Sequence, residues 1–70
     1  MITLTQIRER LIEEINNSGM TRKEIATKLG ITSQTVSGYA YGKKMPALDT
    51  FANLCKVLDV DPAEILGTNE

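Results

Sequence analysis

Apolar residues recur along this chain at the three- and four-residue spacing of amphipathic helices and nowhere alternate long enough to make a strand. Leu4, Ile7, Leu11 and Ile15 form one stripe. Leu48, Phe51, Cys55 and Leu58 form another, and both are expected to face a shared core. The helix starts are marked just as clearly, because a capping residue sits between two apolar residues that can close over it. Thr3 with Gln6 lies between Ile2 and Ile7, and Thr21 with Glu24 between Met20 and Ile25. Thr32 lies between Ile31 and Val36; Asp61, followed by Pro62 and Glu64, lies between Val60 and Ile65. Gly19, Gly30, Gly42 and Gly67 fall where helices should stop. The pattern predicts an all-α chain with five helices, over residues 4–18, 22–29, 33–41, 48–58 and 62–66. The fourth has the weakest start, since Ala47 is a poor cap and only Pro46 marks the boundary. One domain is expected over residues 1–67, followed by a frayed C-terminal tail at 68–70.

Seventy residues support a single small core. With only Phe51, Tyr39 and Tyr41 as aromatics, that core must be built from Ile, Leu, Val and Ala. Cys55 is the sole cysteine and there is no histidine, so neither a disulfide nor a zinc site can be assembled within one chain. A cytoplasmic setting is expected, with no membrane span, since charges interrupt every apolar run. Enzyme activity is not expected, given the lack of a nucleophile–base pair, a ligand cluster or a phosphate-cradling glycine loop. No cofactor, metal or small-molecule ligand is expected.

The net charge of −1 hides a strong asymmetry. Between Met20 and Pro46, Arg22, Lys23, Lys28, Lys43 and Lys44 stand against Glu24 alone, a net of +4, while the rest of the chain nets −5. A basic centre between acidic ends orients a molecule on a polyanion, although charge alone fits ordinary solvated faces equally well.

The segment from Thr21 to Tyr41 carries the functional signal. Two short helices are joined there by Gly30, Ile31 and Thr32 alone, a connection so tight that the helices must cross steeply. Ala26 allows close approach, Gly30 supplies the turn, and Ile25, Leu29, Ile31, Val36 and Tyr39 are expected to pack inward. The stretches MTRKEIATKLGITSQTVSGYAYGKKMP and LDTFANLCKVLDVDPAEIL resemble the lambda-repressor-like helix-turn-helix family, which includes phage repressors and Cro proteins. The resemblance covers nearly the whole chain and implies a five-helix DNA-binding domain whose third helix reads the major groove. It departs from the pattern at Ala40 and Ile15, where many relatives carry an acidic residue and its arginine partner; packing replaces a buried ion pair here.

Turned at 100° per residue, the third helix puts Val36, Tyr39 and Ala40 on one side and Gln34, Ser37, Gly38 and Tyr41 on the other. The family resemblance makes Ser33, Gln34, Ser37 and Gly38 the candidate base contacts, with Gln34 suited to bidentate pairing with adenine. It also implies phosphate contacts from Arg22, Thr35, Tyr41, Lys43 and Lys44. Gly38 is the awkward member, because relatives often have a long polar side chain there. The implied function is a sequence-specific transcriptional regulator of the repressor kind, bound to a double-stranded DNA operator as a homodimer. The alternative is a protein-interaction module of the same fold, such as an antirepressor or antitoxin component; Gly38 leans toward it, whereas the polar helix face and Lys43–Lys44 lean toward DNA.

Overall fold

A computed structural model describes residues 1–69 of the chain. It contains α1 (Leu4–Asn16), α2 (Arg22–Leu29), α3 (Ser33–Ala40), α4 (Leu48–Leu58) and α5 (Pro62–Leu66), with no strand among the described residues. None of these helices is long and apolar enough to cross a membrane. The expected tail falls at Thr68 and Asn69, which form a turn with Gly67, and at Glu70, which lies outside the described residues.

The starts follow from local chemistry. Thr3 Oγ1 accepts from the Gln6 amide at 3.2 Å while Gln6 Oε1 accepts from the Thr3 amide at 3.0 Å. Thr21 and Glu24 repeat that reciprocal pair at 3.1 and 3.2 Å. Thr32 Oγ1 accepts from the Thr35 amide and Asp61 Oδ1 from the Ala63 amide. Each such cap contributes about 1 kcal/mol by satisfying an amide that the helix itself leaves without a partner. Ala47 makes no side-chain cap, as its residue type requires.

Two helices stop short of the sequence pattern, α3 by one residue at Ala40 and α1 by more. Helix α1 ends at Asn16, two residues before the expected position, because Ser18 intervenes: its hydroxyl donates to the Ile15 carbonyl at 2.9 Å and accepts from the Met20 amide at 3.1 Å. Helix α4 ends at Leu58 as expected, and its C-cap Asp59 adopts a left-handed backbone (φ 57°) that glycine fills more easily. Asp59→Gly is therefore expected to raise stability by about 0.5–1 kcal/mol, the relief of αL strain and of an acidic residue at a helix C-terminus outweighing the extra chain entropy of glycine. Thermal unfolding checks this, and an unchanged or lower Tm would mean that the Asp59 side chain has a compensating role.

The core draws on every helix: Leu11 and Ile15 from α1, Ile25 and Ala26 from α2, Val36, Tyr39 and Ala40 from α3, Phe51, Leu54 and Cys55 from α4, and Ile65 from α5. Burial pushes the Cys55 thiol above its ordinary pKa, with the Asp61 carboxylate adding to the shift, so the sulfur stays a neutral packing group. Two expected core residues lie outside. Leu4 is 57% exposed and Leu48 87% exposed, because each opens its helix and projects past the end of the packed layer. The α4 stripe instead runs Phe51, Leu54, Cys55, with Leu58 partly buried behind it. Ala40 and Ile15, where relatives hold an ion pair, are both buried here.

Candidate nucleic-acid interface

The turn between α2 and α3 sets the geometry of the site. Gly30 takes φ 72°, so the chain reverses at once; the Ile31 amide donates back to the Ala26 carbonyl at 3.0 Å and closes the end of α2. Ala26, Val36, Tyr39 and Ala40 are buried between the two helices and the rest of the core. Helix α3 therefore has its inward side committed to packing.

Its other side is open. Ser33 and Gln34 are exposed, Ser37 and Gly38 half-buried, and the Tyr41 ring 67% exposed. Thr35 is half-buried, with its hydroxyl 2.8 Å from that of Thr32. That contact ties Thr35 into the helix cap and leaves less of its hydrogen-bonding capacity for an outside partner.

Two groups of basic residues touch residues of the open side. The Arg22 guanidinium, at the start of α2, lies over the Tyr41 ring with 5.1 Å to its centroid. Arg22 Nη2 also donates to Asn16 Oδ1 at 3.4 Å, and its Nε is buried without a hydrogen-bond partner among the described residues. Lys43 and Lys44 are exposed, and their amides both donate to the Gly38 carbonyl, at 2.9 and 3.2 Å. The loop after α3 is thus folded back onto that helix rather than extended away from it.

Sequence reasoning missed two neighbours of this surface, Asn16 and Arg8. Asn16 holds Arg22 from the end of α1. The Arg8 stem packs beside Gly42, where an added β-carbon would lie 3.2 Å from Arg8 Cδ. Arg8, Ile12 and Asn16 share a stripe at four-residue spacing, but nothing in the segment itself reveals that this stripe borders the loop after α3. Lys23 and Lys28 remain exposed on α2.

A helix-turn-helix family model of the lambda-repressor and Cro type matches residues 11–65, which take in α2 to α4, the C-terminal part of α1 from Leu11 and α5 through Ile65. The chain belongs to that family. Comparison with curated proteins and with solved structures finds no match. Within the matched region α2 and α3 are the two helices joined by the tight turn. Proteins of this family are DNA-binding regulators.

Proposed function

We propose that this domain is a sequence-specific transcriptional regulator, a repressor, that enters the major groove of duplex DNA with α3. The observation that carries the reading is the make-up of its open side: Ser33, Gln34 and Ser37 on α3, with Arg22 stacked on Tyr41 and the Lys43–Lys44 loop folded back onto the same helix. Neutral hydrogen-bonding groups belong where base edges must be distinguished, and cations where phosphates run on either side of the groove. Gln34 pairs with adenine, Ser33 and Ser37 support it less selectively, and Thr35 meets the backbone beside them.

The functional unit in this reading is a homodimer on a two-fold symmetric operator. The domain is 33 Å in its longest dimension, which suits one copy per half-site when half-sites are one helical turn, about 34 Å, apart. Leu4 and Leu48 stand at the rim of a groove with Ile7, Met45, Pro46, Phe51 and Leu66 and supply an apolar contact between copies. The same groove favours the alternative, a protein-interaction module that covers it with a different chain.

Selection of bound sequences from random duplex DNA tests the reading. The wild-type protein should enrich a palindromic motif; Gln34→Ala should flatten preference at one base pair per half-site, a loss of about 1–3 kcal/mol in discrimination. Lys43→Ala should weaken all sequences by a similar factor and lower the salt slope by about 0.9 per domain. Failure of the wild type to enrich any motif, with a partner protein needed for a stable complex, would favour the interaction module instead.

A further inference from the structure

Gly38 is the residue on the open side of α3 that neither helix formation nor a turn explains. Glycine weakens a helix interior, and the backbone here is ordinary, since Gly38 is not among the residues with positive φ. Space explains it. A β-carbon on Gly38 would meet the aliphatic stem of Lys44, 3.2 Å from Cδ, 3.4 Å from Cγ and 3.6 Å from Cβ. Two amides clamp the loop in that position, because Lys43 and Lys44 both donate to the carbonyl of this same glycine. The chain reverses at Gly42 (φ 74°) and lays the Lys44 methylenes into the gap that a side chain at position 38 would occupy.

Gly38 shares its stripe of α3 with Gln34 and Tyr41, opposite the buried Val36, Tyr39 and Ala40. A lysine resting on that stripe lies on the surface offered to the groove rather than at its rim. We propose that Lys44 is a base-reading, specificity-determining residue, seated on the recognition face by the missing side chain at Gly38, and that it prefers a guanine. Guanine presents two acceptors, N7 and O6, to a donor in the major groove, and a lysine ammonium has only donors to give. Lys44 is exposed, and no ion pair engages it among the described residues. Packing its stem before binding also removes rotamer freedom that a loosely held surface lysine loses on contact, which makes it a more selective donor. The inference rests on the duplex-binding reading above and changes the role of Lys44 within it from phosphate contact to base contact.

The test is the same selection from random duplex DNA, run with wild type, Lys44→Met, Lys43→Met and Gly38→Ala at one salt concentration, with thermal unfolding of each protein alongside. Wild type should enrich guanine at one position in each half-site. Lys44→Met keeps the stem and loses the charge; it should flatten that position alone and weaken the best sequence by about tenfold. Lys43→Met should weaken every sequence evenly and leave the motif intact. Gly38→Ala should unfold no lower than wild type, having a better helix former, yet erode the same guanine preference because its β-carbon pushes the Lys44 stem outward. An even loss from Lys44→Met across all sequences, or an unaltered motif from Gly38→Ala, overturns this inference and leaves duplex binding standing. A wild-type protein that enriches nothing overturns both.

Discussion

Replacing Leu54 by alanine should lower the unfolding free energy by about 2–5 kcal/mol, the range for deleting a buried leucine and leaving a cavity behind. For a domain of this length the whole stability is roughly 4–10 kcal/mol, so the variant should lose about half of it and unfold at a much lower urea concentration. Leu54 has no exposed surface and lies on the face of α4 that packs against α2, in the same cluster as Ile25 and Val36. Its loss therefore also loosens the support under the turn that aims α3. Urea unfolding followed by circular dichroism gives the number. Leu48→Ala is the internal control: the same residue type six positions earlier, 87% exposed, should change stability by no more than about 0.5 kcal/mol. Equal losses at the two positions would mean that α4 is rotated from the orientation described.

That contrast marks how far the fold can be read from the chain alone. Four helix starts are legible because a cap is a local device: Thr3, Thr21, Thr32 and Asp61 each find their amide within three residues, whereas the start of α4 at the uncapped Ala47 is marked only by Pro46. Periodicity shows which side of a helix is apolar but not where the neighbouring layer ends. Leu4 and Leu48 fit the stripes and still project beyond the core, while Leu54, which the α4 stripe leaves out, is fully buried. The left-handed Asp59 is hidden because its residue type only tolerates that conformation, whereas Gly30 announces it. For the interface, the outward set on α3 follows from helical geometry. Its company does not: Arg22 reaching Tyr41, Asn16 reaching Arg22, and Lys44 filling the gap at Gly38 join residues six to nineteen positions apart through the packing of separate elements. Gly38 is an anomaly in the sequence and has a reason only beside Lys44.

Arg22→Glu should raise the dissociation constant for every duplex by about a hundredfold to a thousandfold. Losing a hydrogen bond to a charged group costs about 1.5–3 kcal/mol, and a carboxylate facing a phosphate at that site adds repulsion of about 1 kcal/mol even in water. Arg22 is not placed where helix stability alone would put it. It opens α2, where the helix dipole disfavours a cation; among the described residues its Nε is buried without a partner, and its hydrogen bond to Asn16 is long at 3.4 Å. An anion would complete the arrangement, since the amides of Arg22 and Lys23 at the start of α2 have no partner within the helix and the guanidinium stands beside them on the Tyr41 ring. Folding and binding should accordingly separate. Glutamate at the first position of a helix suits the dipole, so Tm should hold or rise while binding collapses. The salt slope should fall by about 0.9 per domain, as it does when one phosphate is left without its cationic partner. Arg22→Lys keeps the charge but gives up the planar stack on Tyr41 and the forked donors, so it should retain the slope and bind with intermediate affinity. Should Arg22→Glu bind as tightly as wild type, or lose affinity only for sequences changed at one base pair, Arg22 does not touch a phosphate and the flank it anchors has another purpose.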